Sequence, residues 1–264
     1  MPRVTARVAL DRLIGTMTNG QRTVRVAAVG DLHFGRVEQG VPLRPLFAEV
    51  SERADVLVLC GDLTDTGSPD EARALARVLS AVTIPIVAVL GNHDYESGKA
   101  GEVSKILCEA GVRMLDGEAC EVEGIGFAGV KGFAGGFGRG TLGPWGEGII
   151  KQFVQEALGE ALKLETALGR LRSERRIAVL HYSPVESTVE GEPREIYPFL
   201  GCSRLEEPLT RYPVDAVFHG HAHHGAAEGT TKGQVPVYNV SLNLLQRVFP
   251  DALPFRVVEL TLGT

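Results

Sequence analysis

The ten residues 24–33, VRVAAVGDLH, join a strand pattern to a polar turn. The valine-rich run Val24–Val29 is typical of a strand that is covered on both faces. Gly30 ends this run, and Asp31 and His33 follow directly. A carboxylate and an imidazole at the end of a buried strand indicate an α/β sheet with a ligand site at its carboxyl edge.

The same succession of strand, glycine and polar residue recurs along the chain. Further strands are predicted at Asp55–Cys60, Ile84–Leu90, Glu121–Val130, Ile177–Leu180, Asp215–His219, Val235–Val240 and Phe255–Leu262. Helices are predicted at Pro45–Ala54, Asp70–Val82, Gly101–Ala110, about Gly148–Arg172 and near Ser203–Tyr212. Strands and helices that alternate at this spacing predict an α/β fold built from strand–helix–strand units.

We expect one domain over residues 1–264, with a motif-bearing core at about 24–262, because no repeat, low-complexity tract or linker divides the chain. Two stretches have no clear periodicity: the glycine-rich segment 131–147 and the proline-rich segment 183–213. Long irregular loops inside a domain are usually lids or binding loops. We therefore expect residues 183–213 to form an excursion on the substrate side, and both loops to set specificity.

The composition narrows the class of partner. With 27 basic and 33 acidic residues the formal net charge is −6, which argues against binding of long nucleic acids or anionic membranes. The four cysteines form no CxxC pair, and Cys60 and Cys108 are predicted to be buried small apolar residues. No apolar run has the length of a signal peptide or a membrane span. We expect a cytoplasmic protein, and the sequence leaves its oligomeric state open, a homo-oligomer included.

All seven histidines lie in the turns that follow predicted strands. They are His33, His93, His181, His219, His221, His223 and His224. Histidines of an ordinary core would not collect in this way. Imidazoles beside carboxylates suit divalent Mn, Fe, Zn or Ni rather than Mg or Ca. The donors exceed the needs of one ion, so the sequence predicts two divalent metal ions with a shared carboxylate, the arrangement used for displacement at phosphorus.

The order and spacing of these motifs resemble those of the calcineurin-like metallophosphoesterases. The motifs are Asp31-x-His33, Gly61-Asp62, Gly91-Asn92-His93-Asp94, His181 and Gly220-His221-x-His223. Together they extend from residue 25 to about residue 240. The resemblance implies a four-layer α/β/β/α sandwich with two mixed β-sheets, and a hydrolase that acts on phosphate esters.

The resemblance further implies seven metal ligands, divided between two ions. One ion would be bound by Asp31, His33 and His223, the other by Asn92, His181 and His221, and Asp62 would bridge the two. A hydroxide between the ions would attack phosphorus. His93 would contact the phosphate and protonate the leaving group, and Asp94 would fix its tautomer by accepting the other ring N–H.

Several nearby residues allow two interpretations. Asp65 either caps the turn at Ser68–Pro69 or hydrogen bonds to a metal ligand, and we favour the cap. His219 is expected at a strand end behind the ligands, and His224 at the surface. Neither is expected to bind metal.

Other side chains near the motifs are equally ambiguous. Arg36, Lys131 and Arg139 could each contact a substrate phosphate or extend into solvent. Tyr95 could stack on a nucleobase or form part of the pocket wall.

The expected substrate is a small phosphodiester. In the protein-phosphatase branch of the family the Gly-Asn-His motif is followed by Glu, whereas this chain has Asp94, which favours a diesterase slightly. A phosphomonoesterase for a metabolite and a nuclease are the enzymatic alternatives. An inactive scaffold on the same fold is the alternative outside catalysis, and it would be expected to lack some of the ligands.

Overall fold

The computed structural model describes residues 21–35 and 42–263, which form two β-sheets and the helices that cover them. The strands are β1 Arg22–Val29, β2 Val56–Cys60, β3 Ile86–Val89, β4 Val112–Met114, β5 Glu118–Val122, β6 Ile125–Gly129, β7 Arg175–Val179, β8 Ala216–His219, β9 Glu228–Thr230, β10 Pro236–Asn239 and β11 Arg256–Leu262. The α-helices are α1 Leu43–Arg53, α2 Pro69–Leu79, α3 Ala100–Glu109, α4 Gly148–Arg170, α5 Tyr197–Leu200, α6 Glu206–Arg211 and α7 Leu242–Val248. Arg36 lies outside the described residues.

Both sheets are mixed. The first has the order β11-β1-β2-β3-β4, in which β1 to β4 are parallel and β11 is antiparallel to β1. The second has the order β5-β6-β7-β8-β10-β9, in which a parallel centre is flanked by antiparallel β5 and β9. The inner strands within each sheet are parallel, so the carboxyl ends of these strands lie at one edge of that sheet.

The two faces of β1 explain its unbroken apolar sequence. Val24 and Val26 point into a layer between the sheets, where they join Phe127 and Phe218 of the second sheet. Ala27 and its outward neighbours pack beneath the first three helices. A strand covered on both sides has no place for alternating polar residues. Helix α4 covers the outer face of the second sheet, so the predicted four-layer sandwich is confirmed.

The start of α2 is fixed by a capping box. The side chain of Ser68 accepts a hydrogen bond from the backbone of Asp70, and the carboxylate of Glu71 accepts one from the backbone of Ser68. Pro69 occupies the first turn, where a missing N–H leaves no intrahelical bond unmade. Ser68 and Glu71 therefore perform the capping role that the sequence analysis assigns to Asp65.

The structure corrects the predicted elements in three further places. The expected strand 121–130 is a hairpin of β5 and β6, turned by Glu123 and Gly124 with φ of 53° and 84°. Two consecutive left-handed residues are the signature of a type I′ turn. The short strands β4 and β9 and the helices α5 and α7 were not expected from the sequence. Cys60 is buried as predicted. Cys108 is exposed, because its neighbour Leu107 lies on the buried face of α3 and the next residue of a helix points in another direction.

The two long loops are joined to each other by their backbones. Gly135 donates to the carbonyl oxygen of Pro198 at 2.7 Å, Gly136 donates to that of Gly201 at 2.9 Å, and Ser203 donates back to Gly136 at 3.1 Å. Their backbone groups are thus paired although neither segment belongs to a sheet. Among the described residues, no helix combines the length and the apolarity needed to cross a bilayer.

Candidate metal centre

Five strands deliver the predicted ligands to one edge of the sandwich. In the first sheet, β1, β2 and β3 are followed by Asp31, Asp62 and Asn92. In the second, β7 and β8 are followed by His181 and His221. Because the two sheets are stacked, these side chains converge from both layers. All the ligands predicted from sequence are brought to this one place.

The backbone at this edge is strained. Asp31, His33, Asp62 and His221 have left-handed φ values of 56°, 42°, 47° and 69°. Such conformations typically cost on the order of 1–3 kcal/mol each in residues other than glycine, and they concentrate at functional sites. Within the described residues, the remaining two non-glycine cases, Glu123 and Gln234, lie in turns that connect neighbouring strands.

Asp31, His33 and His223 form the first group of candidate ligands. Their donor atoms all lie within 4.8 Å of one another. The Nε2 atom of His223 is 3.0 Å from Oδ1 of Asp31 and 3.5 Å from Nε2 of His33. The Asp31 carboxylate also accepts the backbone N–H of His221, so its position is fixed before any ion is bound.

The second group consists of Asp62, His181 and His221, again within 4.8 Å of one another. The Nε2 atom of His181 lies 3.4 Å from Oδ1 of Asp62 and 2.9 Å from Oδ1 of Asn92. The amide oxygen of Asn92 therefore faces the same point as the imidazole and the carboxylate.

Asp62 connects the two groups. Its Oδ1 atom faces His181, whereas its Oδ2 atom lies 3.8 Å from Nε2 of His33. Oδ1 also accepts the backbone N–H of His93 at 2.8 Å. A buried carboxylate with one oxygen toward each group has the geometry that a bridging ligand requires.

Hydrogen bonds on the far side of two rings set their orientation. Nδ1 of His181 lies 2.9 Å from the carbonyl oxygen of Cys60, and Nε2 of His221 lies 3.1 Å from that of Phe199. A carbonyl can only accept, so each of these nitrogens carries the hydrogen. The lone pair is left on Nε2 of His181 and on Nδ1 of His221, which is how a neutral imidazole is prepared to bind a metal ion.

The charges of the centre favour cation binding. Burial lowers the pKa of His221 to about 3, which keeps this imidazole neutral. Burial opposes ionisation of Asp31, but the hydrogen bond from His223 and the surrounding imidazoles hold the pKa of that carboxyl below its usual range. Burial raises the pKa of Asp62. Buried carboxylates are stabilised by cations, so the donor set fits divalent ions of the Mn, Fe, Zn and Ni type.

Gly91 and Gly220 lie so close to the ligands that no side chain fits. A Cβ on Gly91 would overlap Oδ1 of Asp62, and one on Gly220 would overlap Oδ2 of Asp31. These two glycines therefore make room for the two carboxylates, a reason for the motif glycines that the sequence alone did not indicate.

His93 lies beside the two groups, and its imidazole, His33 and Asp62 form a third set of possible donors within 4.8 Å of one another. Its hydrogen-bond partner differs from the expected one. Its Nδ1 atom is 2.7 Å from the backbone carbonyl oxygen of Asp65, and its ring meets that of His33 edge to face at 4.6 Å. Within the part of the chain that the structure describes, the Asp94 carboxylate accepts hydrogen bonds from Leu63, Thr64 and Gly91 and not from the His93 ring. The predicted tautomer-fixing contact of Asp94 is therefore wrong. Asp94 instead ties the turns after β2 and β3 together.

Asp65 has two contacts with the site. Its carbonyl oxygen accepts from His93, and its Oδ1 atom lies 3.3 Å from Nδ1 of His33. It therefore orients one candidate ligand and the candidate acid, which is the interpretation that the sequence favoured less.

The two remaining histidines lie where the sequence places them. His219 ends β8, fully buried, with Nε2 2.8 Å from the hydroxyl of Thr188. Burial lowers its pKa to about 4. His224 is exposed and lies against Arg247. The contact with Thr188 links the second long loop to the turn that carries His221, and no sequence signal indicated it.

Comparisons with known proteins agree with this geometry. Residues 24–225 match the family model described as calcineurin-like phosphoesterase. A protein of Vesicomyosocius okutanii named a probable cyclic nucleotide phosphodiesterase is 26% identical over 72% of each chain. A second protein with that name, from Fibrobacter succinogenes, is 30% identical over 82 residues, 28% of this chain and 32% of that protein. The chain thus aligns with about a third of the length of this relative.

Two solved structures share the fold. The phosphopantetheinyl hydrolase of Mycobacterium tuberculosis superposes with a TM-score of 0.64 at 16% identity, over 88% of this chain and 95% of that chain. The protein TT1561 of Thermus thermophilus gives a TM-score of 0.55 at 15% identity, over 89% and 98% of the two chains.

Proposed function

The chain belongs to the calcineurin-like phosphoesterase family, and from this premise we propose that it is a dinuclear metal-dependent phosphoesterase that hydrolyses a small phosphodiester. The observation that carries the proposal is the position of Asp62 between the two groups: its Oδ1 atom faces His181, and its Oδ2 atom lies 3.8 Å from Nε2 of His33. A single-ion site would not need a carboxylate with one oxygen toward each of two histidine groups.

The first ion would be held by Asp31, His33 and His223, the second by Asn92, His181 and His221, and Asp62 would contact both. When bound, two such ions activate water and neutralise the charge that develops on the phosphoryl group. The protein contributes position: the strained backbone and the carbonyl-bonded imidazoles hold the donors in place before the ions arrive.

His93 would donate the proton that the leaving oxygen needs. Its Nδ1–H is committed to the carbonyl oxygen of Asp65. The exchangeable proton is therefore the one on Nε2, and the ring lies against His33 at the edge of the centre. A histidine in this position can act as general acid toward a substrate phosphate bound at the ions.

Two observations support a small diester rather than the alternatives. The formal charge of −6 disfavours long nucleic acids, which a nuclease would have to bind. The two sequence relatives carry the name of probable cyclic nucleotide phosphodiesterases, so small nucleotide diesters are the first substrates to try. The inactive scaffold is disfavoured because every residue of the ligand set is present.

The experiment compares Mn²⁺-loaded protein on bis(p-nitrophenyl) phosphate and on p-nitrophenyl phosphate, with the His93→Ala variant as control. We expect the diester to be hydrolysed with the higher kcat/KM. The variant should retain its metal and lose turnover on diesters that release an alkoxide, which needs a proton to leave, more than on bis(p-nitrophenyl) phosphate. A preference for the monoester would make the protein a phosphomonoesterase. Failure on both esters at full metal content would contradict the proposal for simple diesters.

A further inference from the structure

A cavity of about 400 Å³ opens beside the metal centre, at the same edge of the first sheet. It lies between the short 3₁₀ helix His93–Tyr95, helix α3 and the segment after β4. Leu90, which follows β3, and Met114, which ends β4, contribute to its wall. The carboxyl end of β3, which carries Asn92, therefore also contributes to this cavity.

The wall of the cavity includes aliphatic side chains and one aromatic ring. Leu90, Met114 and Leu115 form the apolar part, and the ring of Tyr95 is 41% exposed. An exposed tyrosine ring above apolar side chains suits a flat, uncharged group, which gains from both burial and stacking.

Lys131 lines the cavity and is connected to the metal ligands through one aromatic ring. Its ammonium nitrogen lies 5.5 Å from the ring centre of Tyr95 and 5.3 Å from that of Tyr182, whose ring in turn lies 4.4 Å from that of His221. Its backbone carbonyl accepts the N–H of His181 at 3.0 Å. The ammonium group donates to the carbonyl oxygen of Gly132 at 2.8 Å, which holds the cation at the cavity wall, where it can face an aromatic ligand.

Two carboxylates, those of Asp116 and Glu118, also line the cavity. Asp116 is paired with Lys163 at 2.9 Å and Glu118 accepts the backbone N–H of Asp116, and both keep lone pairs that are not used by these partners. They can accept N–H or O–H groups from a neutral polar ring. A nucleobase combines a flat aromatic face with such donors, and the cavity has the volume of a small-molecule site.

We propose that this cavity is the subsite for the leaving group of the substrate and takes a flat neutral aromatic group such as a nucleobase, with Tyr95 and Lys131 as the specificity residues. This inference rests on the proposed function, because the subsite is assigned to the leaving group of phosphodiester hydrolysis. Hydrolysis forms a bond from phosphorus to the oxygen of water and breaks the bond to the leaving oxygen, which takes a proton from His93. Tyr95 belongs to the same 3₁₀ helix as His93, so the cavity adjoins the element that carries the candidate acid.

Cys108 provides a test that does not depend on turnover. Its thiol is exposed and lines the cavity, whereas Cys120 on β5 is partly buried and is absent from the lining. Metal-loaded protein is treated with N-ethylmaleimide with and without adenosine, and alkylation of each cysteine is followed by peptide mass spectrometry. At adenosine ten times its dissociation constant we expect Cys108 to react about tenfold more slowly, with Cys120 unchanged and ribose without effect.

The Tyr95→Leu variant completes the test. It should lose the adenosine protection of Cys108, and its KM for bis(p-nitrophenyl) phosphate should rise about fivefold to tenfold with kcat little changed, since stacking is lost from substrate binding. Equal alkylation of Cys108 with and without saturating adenosine would overturn the subsite. So would protection that persists in Tyr95→Leu. Protection of Cys108 without hydrolysis of any ester would support the subsite and contradict the proposed function. Hydrolysis without protection of Cys108 would support the proposed function and contradict the subsite.

Discussion

The Nδ1 atom of His93 lies 2.7 Å from the backbone carbonyl oxygen of Asp65. The adjacent carboxylate, Asp94, is hydrogen bonded to Gly91 and Thr64 instead. A carbonyl accepts and never donates, so it fixes the hydrogen on Nδ1, as a carboxylate acceptor also would. The ring is oriented by the backbone of one neighbour, while the side chain of the other holds the turns in place.

Replacing His93 by alanine should lower kcat on the order of 10²–10⁴-fold, the usual loss for a missing general acid. Metal content should stay at the wild-type level, because the ligand sets proposed for the two ions do not include His93. Loss of an ion would instead make His93 a ligand beside His33 and Asp62, which lie within reach of its ring. Steady-state kinetics together with elemental analysis measure both effects. Unchanged turnover would show that His93 does not donate the proton.

Replacing Asp94 by alanine should destabilise the protein by about 3 kcal/mol, because the backbone N–H groups of Leu63, Thr64 and Gly91 lose a buried acceptor. Urea unfolding measures the loss. Thr64→Val is the matched control: it removes one hydrogen bond to the same carboxylate and should cost about 1 kcal/mol. If Asp94→Ala instead left stability intact and moved the acid limb of the pH–rate profile, Asp94 would act through His93 after all.

Replacing Asp62 by alanine should reduce the bound metal to less than the wild-type stoichiometry and abolish turnover, since two cations would lose their common anion. Elemental analysis after gel filtration gives the stoichiometry. Asp70→Ala, at an exposed carboxylate of α2, is the control and should bind metal normally. Full occupancy in Asp62→Ala would refute the bridging role.

Removing the ions should lower the melting temperature, because the candidate ligands come from both sheets. At a free ion concentration one hundred times the dissociation constant, each bound ion adds about 2.7 kcal/mol to the free energy of unfolding. Thermal unfolding with and without a chelator measures the difference. The shift should be much smaller in Asp62→Ala, and an equal shift there would mean that the stabilising ions bind elsewhere.

The pair of Arg25 and Asp55 should make the free energy of unfolding depend on pH in the acid range. Burial opposes ionisation of Asp55, but hydrogen bonds from the side chain and backbone of Arg25 lower the pKa of the carboxyl below its usual value. A lowered pKa stabilises the fold fully above the unfolded value of about 3.9. This contribution is lost as the pH falls from there through the folded value.

The matching variant is Asp55→Asn, which should cost about 1 kcal/mol at pH 7, since the pair is partly exposed. Urea unfolding from neutral pH into the acid range, run on both proteins, measures the difference. The gap between them should close as the pH falls. If the difference in free energy of unfolding between the two proteins did not change with pH, the ionised pair would not be its cause.

The residues of the candidate ligand set could be located from the sequence because they lie in the turns that follow strands. Asp31, Asp62 and His181 occupy the first positions after glycine or the end of an apolar run, and parallel strands bring such positions together. The strands were visible as valine-rich runs because both their faces are covered. The local sequence and the topology of the sheets thus both indicate that these residues lie close together.

What the sequence could not supply was the contacts made by the backbone. The carbonyl oxygens of Asp65 and Phe199 orient His93 and His221, and every residue has such an oxygen. The hairpin at Glu123–Gly124 was missed because the apolar pattern continues through it, although Gly124 was a signal for a turn. Cys108 was misplaced because a helix turns by about 100° per residue, and its neighbour Leu107 occupies the buried side.

Asp31 and His223, which meet at 3.0 Å, are separated by 192 residues of chain. During synthesis the first carboxylate therefore leaves the ribosome long before the histidine that completes its group. Contacts between such distant segments form late and slowly in folding. A nascent chain cannot assemble the centre from its first sheet alone, so the proposed ions can be captured in full only by a protein whose second sheet has already been translated and packed.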